Sequence, residues 1–213
     1  MSTLVIAVDG PAASGKSTLA RRLARQFGLE FLDTGLLYRA LARRMIDAGQ
    51  DLDDAAAAAA MAPRITVADT CRDDLRAEEV GNGASRVAAF PAVRAALLEA
   101  QRRFAATPPG AVLAGRDIGT VVCPGATVKL WVTASVEERA FRRHAELQRR
   151  GENASFPAVL EEMRERDRRD GGRAVAPMVV APDARVLDNT DMDPETAFRA
   201  AVAMVEEARA LSA

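Results

Sequence analysis

Eight consecutive residues near the start of the chain have the types and spacing that hold the phosphates of a nucleotide. Gly10-Pro11-Ala12-Ala13-Ser14-Gly15-Lys16-Ser17 matches the pattern G-x-x-x-x-G-K-[ST] without a gap. The glycines allow the backbone to curl so that successive N–H groups point at phosphate oxygens. Lys16 can reach the β- and γ-phosphates as a mobile cation, and the hydroxyl of Ser17 can ligate Mg²⁺. These residues and the adjoining Thr18 are therefore predicted to form a phosphate-binding loop, the P-loop.

The segments on either side of the P-loop support this prediction. Residues 3–8 (TLVIAV) form a short apolar run with β-branched residues, which predicts a buried strand. After Lys16 the apolar residues Leu19, Leu23 and Phe27 recur at helical spacing. A helix that begins at Lys16 would direct the positive end of its dipole at a bound anion.

Arginines and aspartates in the rest of the chain could hold a second anionic substrate. Arg39 follows Asp33-Thr34-Gly35, and Arg116-Asp117 directly follow a predicted strand, at the edge where open α/β sheets bind ligands. A transferring phosphoryl group needs cations around it, and carboxylates beside those cations orient the arginines. A further cluster beside Gly171-Gly172 comprises Arg164, Arg166, Asp167, Arg169, Asp170 and Arg173.

The scarcity of lysine narrows the class of P-loop protein. Lys16 and Lys129 are the only lysines, and the residues after Lys129 do not allow the guanine-reading element N-K-x-D of a GTPase. A motor or transport ATPase would need a longer chain, so compact kinases remain, whose site must hold a second substrate and exclude water. Two alternatives stay open at this point. One is a kinase for another nucleotide or a small hydroxylated metabolite, and the other is a non-enzymatic nucleotide-dependent switch or scaffold.

Predicted strands alternate with predicted helices, which indicates an α/β fold with a parallel sheet. Residues 64–71 are predicted as a weak strand or a loop, and a helical stretch over residues 85–104 is interrupted or begun at Pro91. The predicted strands cover residues 3–8, 30–32, 111–113, 128–132 and 185–187. The other predicted helices begin at Lys16, cover residues 36–46, 55–60, 136–150 and 156–170, and follow Asp193-Pro194.

Composition limits the remaining possibilities. The 213 residues suit a single core, and the formal net charge of −1 gives no basic field that would favour nucleic acid. Cys71, Cys123 and the single histidine, His144, have no metal-ligand or redox spacing. No apolar run approaches the roughly 20 residues of a membrane span, and the first residues do not have the pattern of a signal peptide. We therefore expect a cytoplasmic monomer that binds small molecules and has no nucleic-acid or membrane partner.

Six stretches of the chain occur in the same order in a known family. They are Asp9-Gly10-Pro11 with the P-loop; Leu32-Asp33-Thr34-Gly35 with Tyr38-Arg39; Ala84-Ser85 with Val87-Ala88-Ala89-Phe90-Pro91 and Val93-Arg94; Gly115-Arg116-Asp117-Ile118-Gly119-Thr120-Val121-Val122; Glu138-Arg139 with Arg142-Arg143; and Glu165-Arg166-Asp167 with Arg169-Asp170 and Arg173-Ala174-Val175-Ala176-Pro177. Together they span nearly the whole chain, and the fourth and sixth are more specific than the P-loop. On these residues the chain resembles the bacterial cytidylate (CMP) kinases.

The resemblance implies transfer of the γ-phosphate of ATP to CMP, and also to dCMP, with Mg²⁺ required. It implies that Arg39 and Arg116 hold the phosphate of CMP and that Arg166 and Asp170 hold its sugar. The residues implied to read cytosine are Ser85, Arg94, Asp117 and Arg173, and Thr34 is assigned to the same substrate site. Arg139 and Arg143 resemble lid arginines that close over the phosphates of ATP. The implied catalytic set is Lys16, Arg116, Asp117, Arg139 and Arg143, and Ser17 is the implied protein ligand of Mg²⁺.

The resemblance also implies a three-layer P-loop fold with a parallel sheet of five strands, a subdomain for the monophosphate and a short helical lid. The core is then expected at residues 1–33, 108–148 and 174–213, the subdomain at about 34–107 and the lid at about 149–173. Two features depart from the family. Residues 64–82 are too few for the small β-sheet that bacterial members usually insert in the subdomain. Position 114 is alanine, where the family more often has an aspartate.

Overall fold

A parallel β-sheet of five strands forms the centre of the molecule. The structure is a computed structural model that describes residues 3–211, so residues 1, 2, 212 and 213 of the predicted core lie outside it. The order across the sheet is β2-β3-β1-β4-β5, and each neighbouring pair is parallel, which confirms the predicted fold class. The strands are β1 (Leu4–Asp9), β2 (Glu30–Asp33), β3 (Gly110–Gly115), β4 (Val128–Thr133) and β5 (Arg185–Asp188).

The register of the strands brings their carboxyl ends to one edge of the sheet. Asp9 of β1 lies beside Gly115 of β3 and Trp131 of β4, and Asp33 of β2 lies beside Ala114 of β3. The segments that follow these strands therefore start at the same level, and the P-loop after β1 is one of them. The sheet thus collects side chains that are distant in sequence around one crevice.

Helices cover both faces of the sheet, as parallel strands require. They are α1 (Lys16–Phe27), α2 (Gly35–Asp47), α3 (Ala55–Met61), α4 (Glu78–Val87), α5 (Pro91–Ala105), α6 (Val136–Arg149), α7 (Phe156–Gly171) and α8 (Pro194–Leu211). The bounds of α2, α3, α6 and α7 differ from the predicted bounds by one residue at most. Among residues 3–211, no helix combines the length and the apolar character that crossing a bilayer would require.

Buried apolar clusters hold these layers together. Leu23 of α1 packs with α8 against one face of the sheet. Leu41 of α2 and Leu97 of α5 belong to a larger cluster that joins the helices from α2 to α5 to the sheet. Leu147 of α6 and Met163 of α7 form a smaller cluster that fastens these two helices to each other. Burial of apolar surface in these clusters fixes the helices to the sheet and to one another, and with them the positions of the polar residues the helices carry.

The segment between α3 and α4 differs from the sequence prediction. The strand alternative for residues 64–71 is wrong, because local caps take the place of strand pairing. Thr66 and Asp69 cap each other's backbone and side chain, and Arg44 of α2 binds Asp69 at 2.7 Å. Cys71 at the end of this stretch is exposed. The segment consists of three 3₁₀ turns, Ala62–Arg64, Val67–Cys71 and Asp73–Arg76.

The helical stretch predicted over residues 85–104 is two helices, α4 and α5. The predicted break at Pro91 is confirmed, because Phe90 is extended (φ −80°, ψ 120°) and Pro91 takes the first position of α5. The early start of α4 at Glu78 was not predicted. Gly81 and Gly83 lie inside α4, and glycine lowers helix propensity by about 1 kcal/mol relative to alanine.

Candidate active site

A cavity of about 520 Å³ opens at the carboxyl edge of the sheet. Its walls come from the P-loop, from α2 and α4, from the segment after β3, and from α6 and α7. The cations that line it are Lys16, Arg21, Arg39, Arg76, Arg94, Arg116, Arg142, Arg143, Arg149, Arg166 and Arg173. A concave site with so many cations favours ligands that carry several negative charges.

The backbone of the P-loop adopts the shape that a phosphate cradle requires. Gly10 has a φ of 152°, and a Cβ at this position would overlap the carbonyl oxygen of Val132. Gly15 has a φ of 82° and directly precedes α1. Within the described part of the chain, no side chain caps the first N–H groups of α1. These N–H groups and the positive end of the helix dipole are therefore available to an anion.

Lys16 lies beneath this loop with only 6% of its surface exposed. Its Nζ donates a hydrogen bond to the carbonyl oxygen of Pro11 at 2.9 Å. Burial lowers the pKa of Lys16 well below its ordinary value, and the charge of Arg116 acts in the same direction. A triphosphate would supply the opposite charge and favour the protonated amine. Ser17 and Thr18 line the same part of the cavity, so the residues predicted to bind the donor lie together.

Two side chains outside the motif hold the P-loop in place. Asn189, which follows β5, donates from Nδ2 to the carbonyl oxygen of Ser14 at 2.9 Å. Arg139 of α6 donates from Nη1 to the carbonyl oxygen of Ala12 at 3.3 Å and from Nη2 to Asp167 at 2.6 Å. Arg139 is buried and is not part of the cavity wall. Its geometry is that of a support for the P-loop, whereas the resemblance implies a contact with phosphates.

The next turn of α6 carries two arginines that do line the cavity. Arg143, which the resemblance places over the donor phosphates, lies 3.0 Å from Glu146. Arg142 received no role from the sequence, although it follows Arg139 by three residues and so shares its side of the helix. It donates to the side chain and to the backbone oxygen of Asn189, both at 2.9 Å. Arg142 therefore connects α6, the segment after β5 and the P-loop.

Asp170 of α7 organises the opposite end of the cavity. Only 1% of its surface is exposed. It accepts hydrogen bonds from Ser85 Oγ at 2.8 Å, from Arg116 Nε at 3.0 Å and from Arg173. Burial alone would raise the pKa of Asp170, but the charges of Arg116, Arg173 and Arg166 lower it to about 2. One ionised carboxylate on α7 thus holds side chains from α4, from the segment after β3 and from the segment after α7 itself.

Asp117 and Arg94 form a second buried ion pair beside this cluster. Arg94 Nη2 donates to the carboxylate of Asp117, and 8% of Arg94 is exposed. The ring of Tyr38 lies under the guanidinium at 5.5 Å, where its π face attracts the cation. Both members of the pair line the cavity. The structure therefore brings together the four residues implied to read a base, since Ser85 and Arg173 contact the neighbouring Asp170.

Arg39 reaches the cavity through space left by a glycine. Its Nη1 donates to the carbonyl oxygen of Leu75 at 2.7 Å. A Cβ on Gly81 of α4 would lie 2.9 Å from Nη2 of Arg39, so a larger residue would displace the guanidinium. Sequence reasoning missed Gly81, although a glycine inside a helix is a signal of close approach. Burial lowers the pKa of Arg39 to about 10, and an anion in the cavity would offset that effect.

Thr34, predicted as a substrate residue, lines the cavity and donates from Oγ1 to the carbonyl oxygen of Ala114 at 3.0 Å. Ala114 is fully buried in β3. The end of β2 is thereby fastened to the end of β3.

The cavity contains buried donors that have no partner among residues 3–211. The Nε atoms of Arg166 and Arg173 are both in this state. Burial and the nearby charge of Arg116 lower the pKa of Arg166 to about 9. Unpaired buried N–H groups are costly in a folded protein, so these two arginines indicate where an anionic or hydroxylated ligand binds.

Two glutamates meet at the cavity wall between α4 and α7. Glu78 and Glu162 share a hydrogen bond, and this bond, together with burial and the charge of Glu162, raises the pKa of Glu78 to about 7. Arg143 approaches Glu78 at 3.9 Å and acts in the opposite direction. Since the ordinary pKa of glutamate is lower, the folded protein retains this proton where the unfolded chain has lost it. The contribution of the pair to stability is therefore lost as the pH rises from about 4.5 to about 7.

Replacing Glu78 with glutamine should remove this pH dependence. An amide keeps a neutral hydrogen-bonding group beside Glu162, so Glu78→Gln is expected to melt at a higher temperature than the parent at pH 8. At pH 5 the two proteins should melt alike. The control is Glu79→Gln, since Glu79 is the next residue of α4 but is exposed and bound to Arg43. Equal effects of both variants at pH 8 would contradict the assignment to the pair.

The side chains near the P-loop also indicate how a divalent cation could be held. Among the described residues, no group of three or more His, Cys, Asp or Glu side chains could bind a metal ion. Ser17, which carries a hydroxyl, lies on the cavity wall directly after Lys16. This arrangement fits a cation that takes most of its ligands from phosphates and water, as Mg²⁺ does.

Known proteins resemble this chain over almost all of its length. The family model described as cytidylate kinase matches residues 6–207. A cytidylate kinase of Methylobacterium sp. (strain 4-46) is 61% identical over 203 residues, covering 95% of this chain and 97% of that protein. A cytidylate kinase of Paramagnetospirillum magneticum (strain ATCC 700264 / AMB-1) is 57% identical over 212 residues, covering 98% of this chain and all of that protein.

The fold also occurs in a solved structure of low sequence similarity. An uncharacterized protein from Eubacterium ventriosum ATCC 27560 superposes with a TM-score of 0.57 at 12% identity, over 96% of this chain and 99% of its own. That likeness concerns the fold alone. The family follows from the sequence matches, which cover nearly the whole chain at high identity, and on this basis the chain belongs to the cytidylate kinase family.

Proposed function

We propose that this chain transfers the γ-phosphoryl group of ATP to CMP and to dCMP, giving ADP and CDP or dCDP. The observation that carries the proposal is a single cavity with two cationic ends. One end is the P-loop with Lys16, and the other is the arginine cluster around Asp170. A donor triphosphate and an acceptor monophosphate can therefore meet between them. Membership of the cytidylate kinase family supports CMP as the acceptor.

The acceptor end offers a group for each part of a nucleoside monophosphate. We assign Arg39 and Arg116 to its phosphate, because both line the cavity and lie close enough for their charges to repel each other, which a shared anion would relieve. We assign Arg166 and Asp170 to the sugar, since a carboxylate can accept from hydroxyl groups. The residues assigned to cytosine are Ser85, Arg94, Asp117 and Arg173.

The reaction needs no nucleophile or strong base from the protein, because the phosphate of CMP is itself an anionic nucleophile. The contribution of the chain is to position two anions and to neutralise the charge between them. Lys16 and the N–H groups at the start of α1 bind the donor phosphates, and Arg143 approaches from α6. Arg116 lies between the two ends and is coupled to both Lys16 and Asp170. Closure of α6 and α7 over the cavity would exclude water from the transferring group.

Magnesium fits the donor end of the cavity. When bound, the ion would neutralise charge on the donor phosphates and orient them for transfer. Ser17 is the residue of this chain that would ligate it, because its hydroxyl lies at the start of α1 beside Lys16.

A panel of acceptors tests the proposed function. With ATP and Mg²⁺, we expect ADP formation with CMP and dCMP to greatly exceed formation with AMP, GMP, UMP or shikimate. Equal rates across the panel would overturn the assignment of cytosine and leave the fold intact. ATP binding without transfer to any acceptor would instead favour a nucleotide-dependent switch.

A substitution tests the assignment of Asp117. Asp117→Ala should strongly depress turnover of CMP and leave the affinity for ATP nearly unchanged.

A further inference from the structure

A single π-helical turn, Ile118–Val122, carries no assigned role in the reaction, although it begins directly after Asp117. It closes with a hydrogen bond from the N–H of Cys123 to the carbonyl oxygen of Ile118 at 2.7 Å. Asp117 precedes it with φ −144° and ψ 25°. Such π-helical turns are rare and concentrate at functional sites.

The amino-terminal end of the turn is held by Asp9, the last residue of β1. Its two carboxylate oxygens accept from the N–H of Ile118 at 2.8 Å and from the N–H of Gly119 at 2.7 Å. Asp9 is 5% exposed, and burial raises its pKa to about 6 although the two N–H groups lower it. At pH 7.5 it is therefore ionised, and both oxygens can accept. The next residue is Gly10, the first residue of the P-loop, so Asp9 lies at the junction between β1 and the P-loop.

The carboxyl-terminal end of the turn is held by Arg102 of α5. Nε donates to the carbonyl oxygen of Val122 at 3.1 Å, and Nη2 donates to the carbonyl oxygen of Val121 at 3.0 Å. The planar guanidinium therefore binds two successive carbonyls as a fork. Neither Arg102 nor Asp9 lines the cavity.

Close packing against β3 and β4 also restricts the position of the turn. A Cβ on Gly115, at the end of β3, would lie 2.6 Å from the side chain of Ile118. A Cβ on Gly119 would lie 3.1 Å from the side chain of Lys129 on β4. A side chain at either glycine would press on its neighbour, so both glycines favour this packing, and the two polar clamps fix the orientation of the turn.

We infer that Asp9 and Arg102 are positioning residues that hold Asp117 in the orientation it needs to recognise the acceptor base. This inference rests on the proposed function, in which Asp117 contacts cytosine. Asp9 holds the turn from the P-loop side and Arg102 holds it from the outer helix. The carboxylate of Asp117 needs fixing to well within 1 Å, since a misplacement of that size can cost about 100-fold in rate. Asp9 immediately precedes Gly10, so it also connects the turn beside the acceptor site to the start of the P-loop.

Arg102→Met separates this role from a general effect on folding. Methionine keeps much of the aliphatic length and removes both donors. We expect KM for CMP to rise roughly tenfold and the preference for CMP over UMP to fall by a similar factor, while KM for ATP stays unchanged. Arg102→Lys should recover part of the loss, because an ammonium can still donate to the two carbonyls. The control is Arg103→Met, whose side chain is 72% exposed and bound only weakly to Glu99 at 3.8 Å.

A double-mutant cycle with Asp117→Ala provides the decisive result. If Arg102 acts through Asp117, adding Arg102→Met to Asp117→Ala should cause no further rise in KM for CMP. Additive effects, or a lower melting temperature of Arg102→Met with unchanged CMP kinetics, would overturn the inference. If Asp117→Ala itself keeps its preference for CMP, the proposed assignment of cytosine fails first, so the two failures are distinguishable.

Asp9→Asn tests the other clamp. An asparagine amide can accept from one N–H group but directs its own NH₂ group at the second. Because Asp9 adjoins the P-loop, we expect KM to rise for CMP and for ATP together. A rise for ATP alone would show that the bonds to Ile118 and Gly119 do not position Asp117, and would overturn the inference for Asp9.

Discussion

Lys16→Met should lower kcat by roughly 1000-fold, the largest effect of a single substitution on the donor side. Lys16 is buried beneath the P-loop, and its Nζ donates to the carbonyl oxygen of Pro11. Methionine has a similar length and leaves the loop backbone able to form, so the loss should fall on transfer and on donor binding. Single-turnover transfer to CMP, together with titration of ATP binding, would measure the two contributions.

The chain supplies its own control, because Lys129 is the only other lysine. It is also buried, it pairs with Asp183 at 2.8 Å, and it does not line the cavity. Lys129→Met should retain transfer within a few-fold of the parent. A comparable loss in both variants would mean that removing a buried charge, rather than the contact with phosphates, causes the effect.

Asp170→Asn should have the largest effect on the acceptor side. The carboxylate holds Ser85, Arg116 and Arg173, and an amide cannot balance the charge of the arginines. We expect kcat/KM for CMP to fall by about 100-fold because the arginines lose their positions, while KM for ATP changes little. A loss confined to ATP would contradict the placement of Asp170 in the acceptor site.

The same substitution should alter stability and its dependence on pH. The pKa of Asp170 in the folded protein is about 2, below the ordinary value of 3.8. Its contribution is therefore present above pH 3.8 and is lost as the pH falls towards 2. The difference corresponds to about 2 kcal/mol of unfolding free energy at neutral pH, which urea titrations of the parent and variant would measure. Asp183→Asn, which removes a charge from an exposed carboxylate paired with Lys129, should have a much smaller effect.

Much of the site could be predicted from residue types and spacing. The P-loop is contiguous, so its backbone shape follows from two glycines and a lysine at fixed positions. Arg116-Asp117 could be placed because a ligand site lies where parallel strands end. The cluster around Asp170 could be predicted from the charged residues beside Gly171 and Gly172. The role of each residue in it came from the resemblance to cytidylate kinases, because spacing alone did not determine it.

The residues that sequence reasoning missed act through contacts between distant segments. Asn189 binds the backbone of Ser14, which is 175 positions away in sequence, and no local sequence pattern predicts such a contact. The turn after Asp117 has the sequence IGTVV, which has neither helical nor strand periodicity. Arg139 was predicted as a site residue, but the sequence could not predict which groups its guanidinium contacts. Those contacts depend on the packing of α6 against α7 and the P-loop.

The exposed thiol of Cys71 makes the natural sequence suitable for optical measurement of motion. Cys71 lies in the 3₁₀ segment before α4, whereas Cys123 is half-buried and burial raises the pKa of its thiol. A thiol-reactive dye should therefore label Cys71 first. Trp131 is the only tryptophan and lies on β4 in the sheet. Resonance energy transfer from this indole to a dye on Cys71 would report the distance between the sheet and the segment between α3 and α4 as ATP and CMP bind, without any engineered residue.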